Sequence, residues 1–165
     1  MVITIGRRHG SGGREIGRRL AQRLDIPCHV VDWSGEPGLE DRFDTIRELA
    51  QQGSCVIVGF CADYVLADRE GLIRVFIHSD MDVRVQRVAE RTGMDPQDAQ
   101  RDILRQDRER AQLYGYYTKG KWADLARYDL TVDSGRLGIS GTVELLSQFV
   151  ALKVMRRRTE HAPSL

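Results

Sequence analysis

Residues 5 to 16 read IGRRHGSGGREI. Gly10, Ser11, Gly12 and Gly13 let the backbone curl until successive N–H groups converge. A helix opening at Arg14–Ile16 adds the positive end of its dipole, and the two together bind an anion, phosphate above all, without any side chain. The common phosphate-loop pattern GxxxxGK[ST] is not met. With Gly12 as its last glycine, Arg7 stands in the place of the first glycine and Gly13 in that of the lysine. Arg14 comes one residue late, and Glu15 stands near where a serine or threonine would hold magnesium. The motif alone leaves phosphate binding and a plain glycine turn both open.

Further charged groups sit where chemistry is possible. Asp32 follows one apolar run and Asp63 another; ligands of open α/β sheets collect beyond the carboxyl ends of the strands, so both face the crevice of the glycine loop. One could hold magnesium through water and the other orient or deprotonate an acceptor, or either could be a helix cap. Arg101, Arg105 and Arg108 recur at i, i+4, i+7 on one helical face, with Arg110 pointing elsewhere. Asp98, Asp102, Asp107 and Glu109 are interleaved with them, which also fits a solvated, salt-bridged helix. In YGYYTKGKWADLARYD, Trp122 and Tyr128 are expected to pack, and Lys119 and Lys121 to be exposed.

The elements that must carry these groups show as five short apolar runs: 2–5, 28–31, 55–59, 73–78 and 128–132. They are continuous rather than alternating, as in parallel strands buried on both faces. Helical periodicity fills 14–24, 41–52 (Ile46, Leu49 and Ala50 inward) and 81–92 (Asp80 as cap; Val83, Val85 and Val88 inward). A long helix should start at Asp95-Pro96, with Asp98 at its third position, and a last helix should cover about 140–156. Strands alternating with helices predict an α/β fold: a five-stranded parallel sheet wrapped by helices in three layers. Residues 1–158 are expected to be one domain with a lid over about 95–126, and 159–165 a frayed tail. Residues 32–41 read as a loose linker.

The chain has 165 residues, 41% hydrophobic and 30% charged, with net charge +1. That near-neutral total argues against a general nucleic-acid binder, although local arginine clusters still attract phosphates. No apolar run approaches the roughly 20 residues of a membrane span, and the opening lacks the layout of a signal peptide. Cys28, Cys55 and Cys61 are odd in number and lack CxxC spacing, so reduced thiols in a cytoplasmic protein are expected rather than disulfides or a metal site.

ITIGRRHGSGGREIGRRLAQRL resembles the opening of the cytidylate-kinase-like family of P-loop kinases, whose loop has GSGGREI where other nucleoside monophosphate kinases have GSGKGT. SCVIVGFCADYVL (54–66), RVFIH (74–78) and DRERAQLYGYYTKGKWADLARYDLTVDSGRLGI (107–139) match it too. The resemblance implies a P-loop kinase fold using ATP and Mg²⁺. It implies donor phosphates on Gly10, Ser11, Gly12, Gly13 and Glu15, with Arg14 as the substitute for the lysine. It makes Arg105, Arg108 and Arg110 lid cations in catalysis, with which Asp63, placed by the strand-end rule, would act. Asp32, Asp63 and Glu109 would contact the acceptor, and Asp32 and Glu15 the metal.

The chain also departs from that family. Residues 33–42 are too few for the two-helix arm that binds the monophosphate. The arginine expected after the third strand is Phe60, and a further lid arginine is Gln112. Two readings stay open: an ATP-dependent phosphotransferase acting on a nucleoside monophosphate such as CMP or another small acceptor, and a weak or inactive nucleotide binder acting through a partner or a homodimer. Phe60 and the crevice left by the missing arm would favour such association.

Overall fold

The computed structural model describes residues 1–32 and 38–160. Strands β1 (Val2–Arg7), β2 (Cys28–Val31), β3 (Cys55–Gly59), β4 (Leu72–His78) and β5 (Leu130–Asp133) form one sheet in the order β2-β3-β1-β4-β5. Every strand pair is parallel. The central strands read as unbroken apolar runs because both faces are covered: Ile3, Ile5, Val56, Val58, Ile73, Val75 and Ile77 share one core with Ile16, Leu20 and Leu146, while Val2, Ile57 and Cys55 meet Ile46 and Ala50 on the other side.

Helices α1 (Gly13–Leu24) and α6 (Ser134–Glu160) cover one face, and α2 (Leu39–Gln51) with the short α3 (Ala62–Val65) the other. Helices α4 (Met81–Thr92) and α5 (Pro96–Thr118) pack on each other through Val88, Ala99 and Ile103 at the carboxyl end of the sheet. Asp95 caps α5 as the sequence predicts, its carboxylate accepting the Gln97 amide at 2.8 Å. Asp80 holds the corresponding place before α4, but its side chain makes no capping bond.

Differences from the sequence reading have physical causes. Helix α6 starts at Ser134 rather than 140, because Asp133 Oδ1 accepts the Gly135 amide at 2.8 Å and so opens a turn early. It breaks at Gly138 (φ 69°, ψ 172°) and runs on through 159 and 160, where a frayed tail was expected. By length and composition it is apolar enough to cross a bilayer, yet Thr142, Val143, Leu146 and Val150 are buried within the protein. On α4, Val88 is buried, Val83 and Val85 are half-buried, and Arg84 is buried instead. Phe60 is 6% exposed, in a cluster with Phe43, Cys61 and Tyr114, so it forms no apolar patch for association. Residues 33–37 of the expected linker and 161–165 of the expected tail lie outside the described residues.

Replacing Asp95 by alanine removes a made capping bond and should cost about 1 kcal/mol in urea denaturation. Asp80→Ala, which removes none, should cost clearly less.

Candidate active site

Strand β1 delivers the chain to the carboxyl edge of the sheet at Arg7, and the glycine loop turns there into α1. Gly10 (φ 80°) and Gly12 (φ 83°) take left-handed conformations that side chains resist. The loop is held from several sides. Ser11 is fully buried; its hydroxyl donates to the Arg8 carbonyl at 2.8 Å, and its own carbonyl accepts from Ser134 Oγ at 2.6 Å and from Arg87 at 3.0 Å. From α5, Asp107 accepts the His9 amide at 2.9 Å, and Arg84 of α4 donates to that carboxylate at 2.6 Å. Each brace uses a buried charged or polar group, so the loop's shape is fixed before any ligand arrives.

The loop floors a cavity of about 880 Å³. Among the described residues, seven arginines line it (Arg7, Arg8, Arg14, Arg18, Arg87, Arg91 and Arg110), against three carboxylates, Glu15, Asp32 and Glu90. Arg7 and Arg110 are each 6% exposed. Burial, followed by the nearby Arg110 and Arg14, lowers Arg7 to a pKa of about 9. Burial also lowers Arg110, whose Nη1 donates to the Arg7 carbonyl at 3.1 Å. Arg14 is half-exposed and paired closely with Asp32, whose carbonyl accepts from Arg42. This excess of positive charge, two of its guanidiniums buried, suits a polyanionic ligand.

On the far side of Arg7 and Arg110 a narrow void is lined by Phe60, Asp63, Tyr114 and Trp122. Asp63 is 7% exposed. It accepts the Tyr114 hydroxyl at 2.6 Å, and Arg127 donates to that hydroxyl oxygen at 2.7 Å. Burial raises the Asp63 pKa against the pull of the Tyr114 bond.

The sequence-selected residues therefore separate. Gly10, Gly12, Gly13, Arg14, Glu15, Asp32 and Arg110 line the cavity, and Ser11 lies beneath it. Asp63 lies in the adjoining void. Arg105, Arg108 and Glu109 do not line either space: Arg105 is exposed and pairs with Asp102 and Glu109, and Arg108 is exposed. Lys119, Lys121 and Gln112 are exposed, while Trp122 and Tyr128 pack on Phe76. Sequence reasoning missed Arg7, His9, Arg84, Arg87 and Asp107 as parts of the site. The signal for Asp107 and Arg110 was the inward stripe of α5, at 99, 103, 107, 110, 114 and 118, whose period matches the helix but whose members are partly charged.

For magnesium, the described residues hold no cluster of three or more metal-ligating side chains. The ion does not need one, since it binds through one or two carboxylates plus substrate phosphates. Glu15 and Asp32, both at the cavity wall, fit that donor set by type, although here Glu15 pairs with Arg19 and Asp32 with Arg14.

The Cytidylate kinase-like family profile matches residues 2–33 and 39–136, breaking only between β2 and α2. The cytidylate kinase of Methanopyrus kandleri is 28% identical over 179 positions, covering 88% of this chain and 91% of that one. That of Methanothrix thermoacetophila is 27% identical over 175 positions, covering 93% and 100%. Both alignments exceed the 165 residues present here, so these relatives carry residues this chain lacks. A solved protein from Eubacterium ventriosum superposes with a TM-score of 0.81 at 26% identity, covering 92% of this chain and 98% of that one. Shikimate kinase from Bacteroides thetaiotaomicron, at 18% identity, shares the fold with a TM-score of 0.60 over the same shares of the two chains.

His9 tests the electrostatics. Burial, then Arg110, lowers its pKa from 6.5 to about 4, while Asp102 and Asp107 oppose them. The unfolded chain takes up this proton below about pH 6.5 and the folded one does not, so stability is lost as pH falls from 6.5 towards 4. The thermal midpoint of a His9→Gln variant should fall less steeply across that window than the parent's. Parallel slopes would contradict a neutral imidazole in the folded protein.

Proposed function

We propose, from the premise that this chain belongs to the cytidylate kinase-like family, that it transfers the terminal phosphoryl group of ATP to a nucleoside monophosphate, CMP being the first acceptor to try, or to another small acceptor. The arginine-lined cavity on the braced glycine loop carries this reading. In it the amides of Gly10, Ser11, Gly12 and Gly13 hold the donor phosphates, assisted by Arg14. Glu15 and Asp32 hold Mg²⁺, which when bound neutralises phosphate charge and aligns the transferring group. Arg110, buried at the cavity wall, meets the charge developing on that group, where phosphoryl transfer depends on positioning and charge neutralisation. Residues 95–126 act as the lid, with Arg110 as its cation at the phosphates; Arg105, Arg108 and Glu109 lie on or near its outer face and reach the site only if α5 turns as it closes. Asp63, positioned by Tyr114 and Arg127, orients the acceptor or takes its proton; its raised pKa suits proton transfer. The three free cysteines fit a cytoplasmic setting.

A second reading, a nucleotide binder with weak or no transfer, is favoured by one feature. Phe60 and Tyr114 leave little room beside Asp63, and the segment between β2 and α2 is short.

Incubation with ATP, Mg²⁺ and a panel of monophosphates decides between them. Acceptor-dependent ADP formation supports transfer, thermal stabilisation by nucleotide without turnover supports the second reading, and neither effect contradicts both. In an active enzyme, Asp63→Asn should lower kcat by about 10²-fold and leave ADP affinity unchanged. Loss of ADP affinity with kcat intact would remove its acceptor role.

A further inference from the structure

The loop lacks a lysine at position 13, and the structure shows what occupies that space. A Cβ on Gly13 would lie 2.7 Å from Cγ, 2.8 Å from Cβ and 3.2 Å from Cδ of Arg7. Real Cβ atoms do not approach side-chain carbons so closely, so any side chain at 13 would collide with the stem of Arg7 rather than with its flexible tip. The Arg7 side chain thus lies across the position from which a loop lysine would extend. In the conventional pattern the small residue comes first and the cation seventh. Here Arg7 fills the first place and Gly13 the seventh.

The head group of Arg7 is left for a ligand. Arg7 is 6% exposed and lines the main cavity. Its Nη2 is buried without a hydrogen-bond partner. Its nearest anion, Asp32, stands 3.9 Å away and is held more closely by Arg14. A buried guanidinium nitrogen left without a hydrogen bond is costly, and a phosphate oxygen in the cavity is the group that would satisfy it. Arg14, by contrast, is 49% exposed and already neutralised by Asp32.

We infer that Arg7 and Gly13 have exchanged the roles of glycine and lysine in the phosphate loop, so that Arg7, reaching over Gly13 from the end of β1, is the principal side-chain cation for the donor polyphosphate. This rests on the proposed nucleotide-binding reading and changes which residue does the gripping, making Arg14 the partner of Asp32 rather than the lysine substitute. The exchange also accounts for why position 13 is glycine: the helix would tolerate other residues there, but the arginine stem above it does not.

Binding of ADP and of tripolyphosphate, measured calorimetrically on the full chain, tests the exchange. Arg7→Met keeps the stem and removes the charge, and should weaken both ligands in parallel by roughly 10- to 100-fold, the range of a charge-assisted hydrogen bond. Arg14→Met should weaken them several-fold less. Gly13→Lys alone should lower the thermal midpoint through collision with Arg7. The double variant Arg7→Gly/Gly13→Lys, which restores the conventional order, should regain most of the midpoint lost in Gly13→Lys and bind ADP at least about 5-fold more tightly than Arg7→Met. Parental affinity in Arg7→Met, a larger loss in Arg14→Met, or a double variant no better than Arg7→Met would each overturn the exchange while leaving nucleotide binding standing. A parent protein that binds neither ligand would overturn both. Binding without transfer supports the exchange and removes only the catalytic reading.

Discussion

Two guanidiniums buried side by side set the terms for this molecule. Arg7 and Arg110 are each 6% exposed, joined only through Arg110's bond to the Arg7 carbonyl, and each is pushed down by burial with Arg14 adding to the effect. Removing cations from water without pairing them is expensive. A fold selected for stability alone would give each its own carboxylate; here Asp32, which faces Arg7, is engaged by Arg14, and Asp107, which acts on Arg110, is engaged by Arg84. The strain is tolerated because the sheet and the α4–α5 pair hold both side chains in place. Such strain concentrates where a ligand completes the charge balance. A polyphosphate would supply the missing negative charge, and the cavity's volume of about 880 Å³ leaves room for it.

The same helices that bring in the cations also brace the loop. Asp107 and Arg110 stand three residues apart on one face of α5; the first holds the His9 amide and the second the Arg7 carbonyl. Arg84 and Arg87 of α4 reach the loop beside them. Loop geometry and the position of α5 are therefore coupled: a displacement of this helix withdraws a charge from the cavity and a support from the loop together. In the proposed kinase, that coupling would give a lid movement of α5 a direct route to the phosphates.

Strand, glycine loop and helix were legible in the sequence because each has its own chemical signature. Unbroken Val/Ile runs mark buried parallel strands, and Asp95-Pro96 marks the start of α5. What periodicity could not show was which arginines turn inward. Arg101, Arg105 and Arg108 keep helical spacing, yet Arg101 and Arg105 pair with Asp98, Asp102 and Glu109 on a solvated face. Arg110 shares a stripe with Ile103 and Tyr114, where its charge disguises its burial. Arg84 and Asp107 were hidden for the same reason, since a buried ion pair leaves no hydrophobic pattern. Phe60 looked like an exposed vacancy because its neighbours Phe43 and Tyr114 are distant in sequence. The role of Arg7 escaped because the loop pattern places a glycine there, and only the stem crossing Gly13 reveals the exchange.

The central claim is that loop amides and buried guanidiniums together form one polyphosphate site. Nuclear magnetic resonance titration of isotope-labelled protein with ADP measures this directly. The largest shifts should fall on the amides of Gly10 to Arg14 and on the side-chain Nε–H signals of Arg7 and Arg110. Saturation that leaves those signals in place, or moves mainly residues elsewhere on the surface, would contradict it.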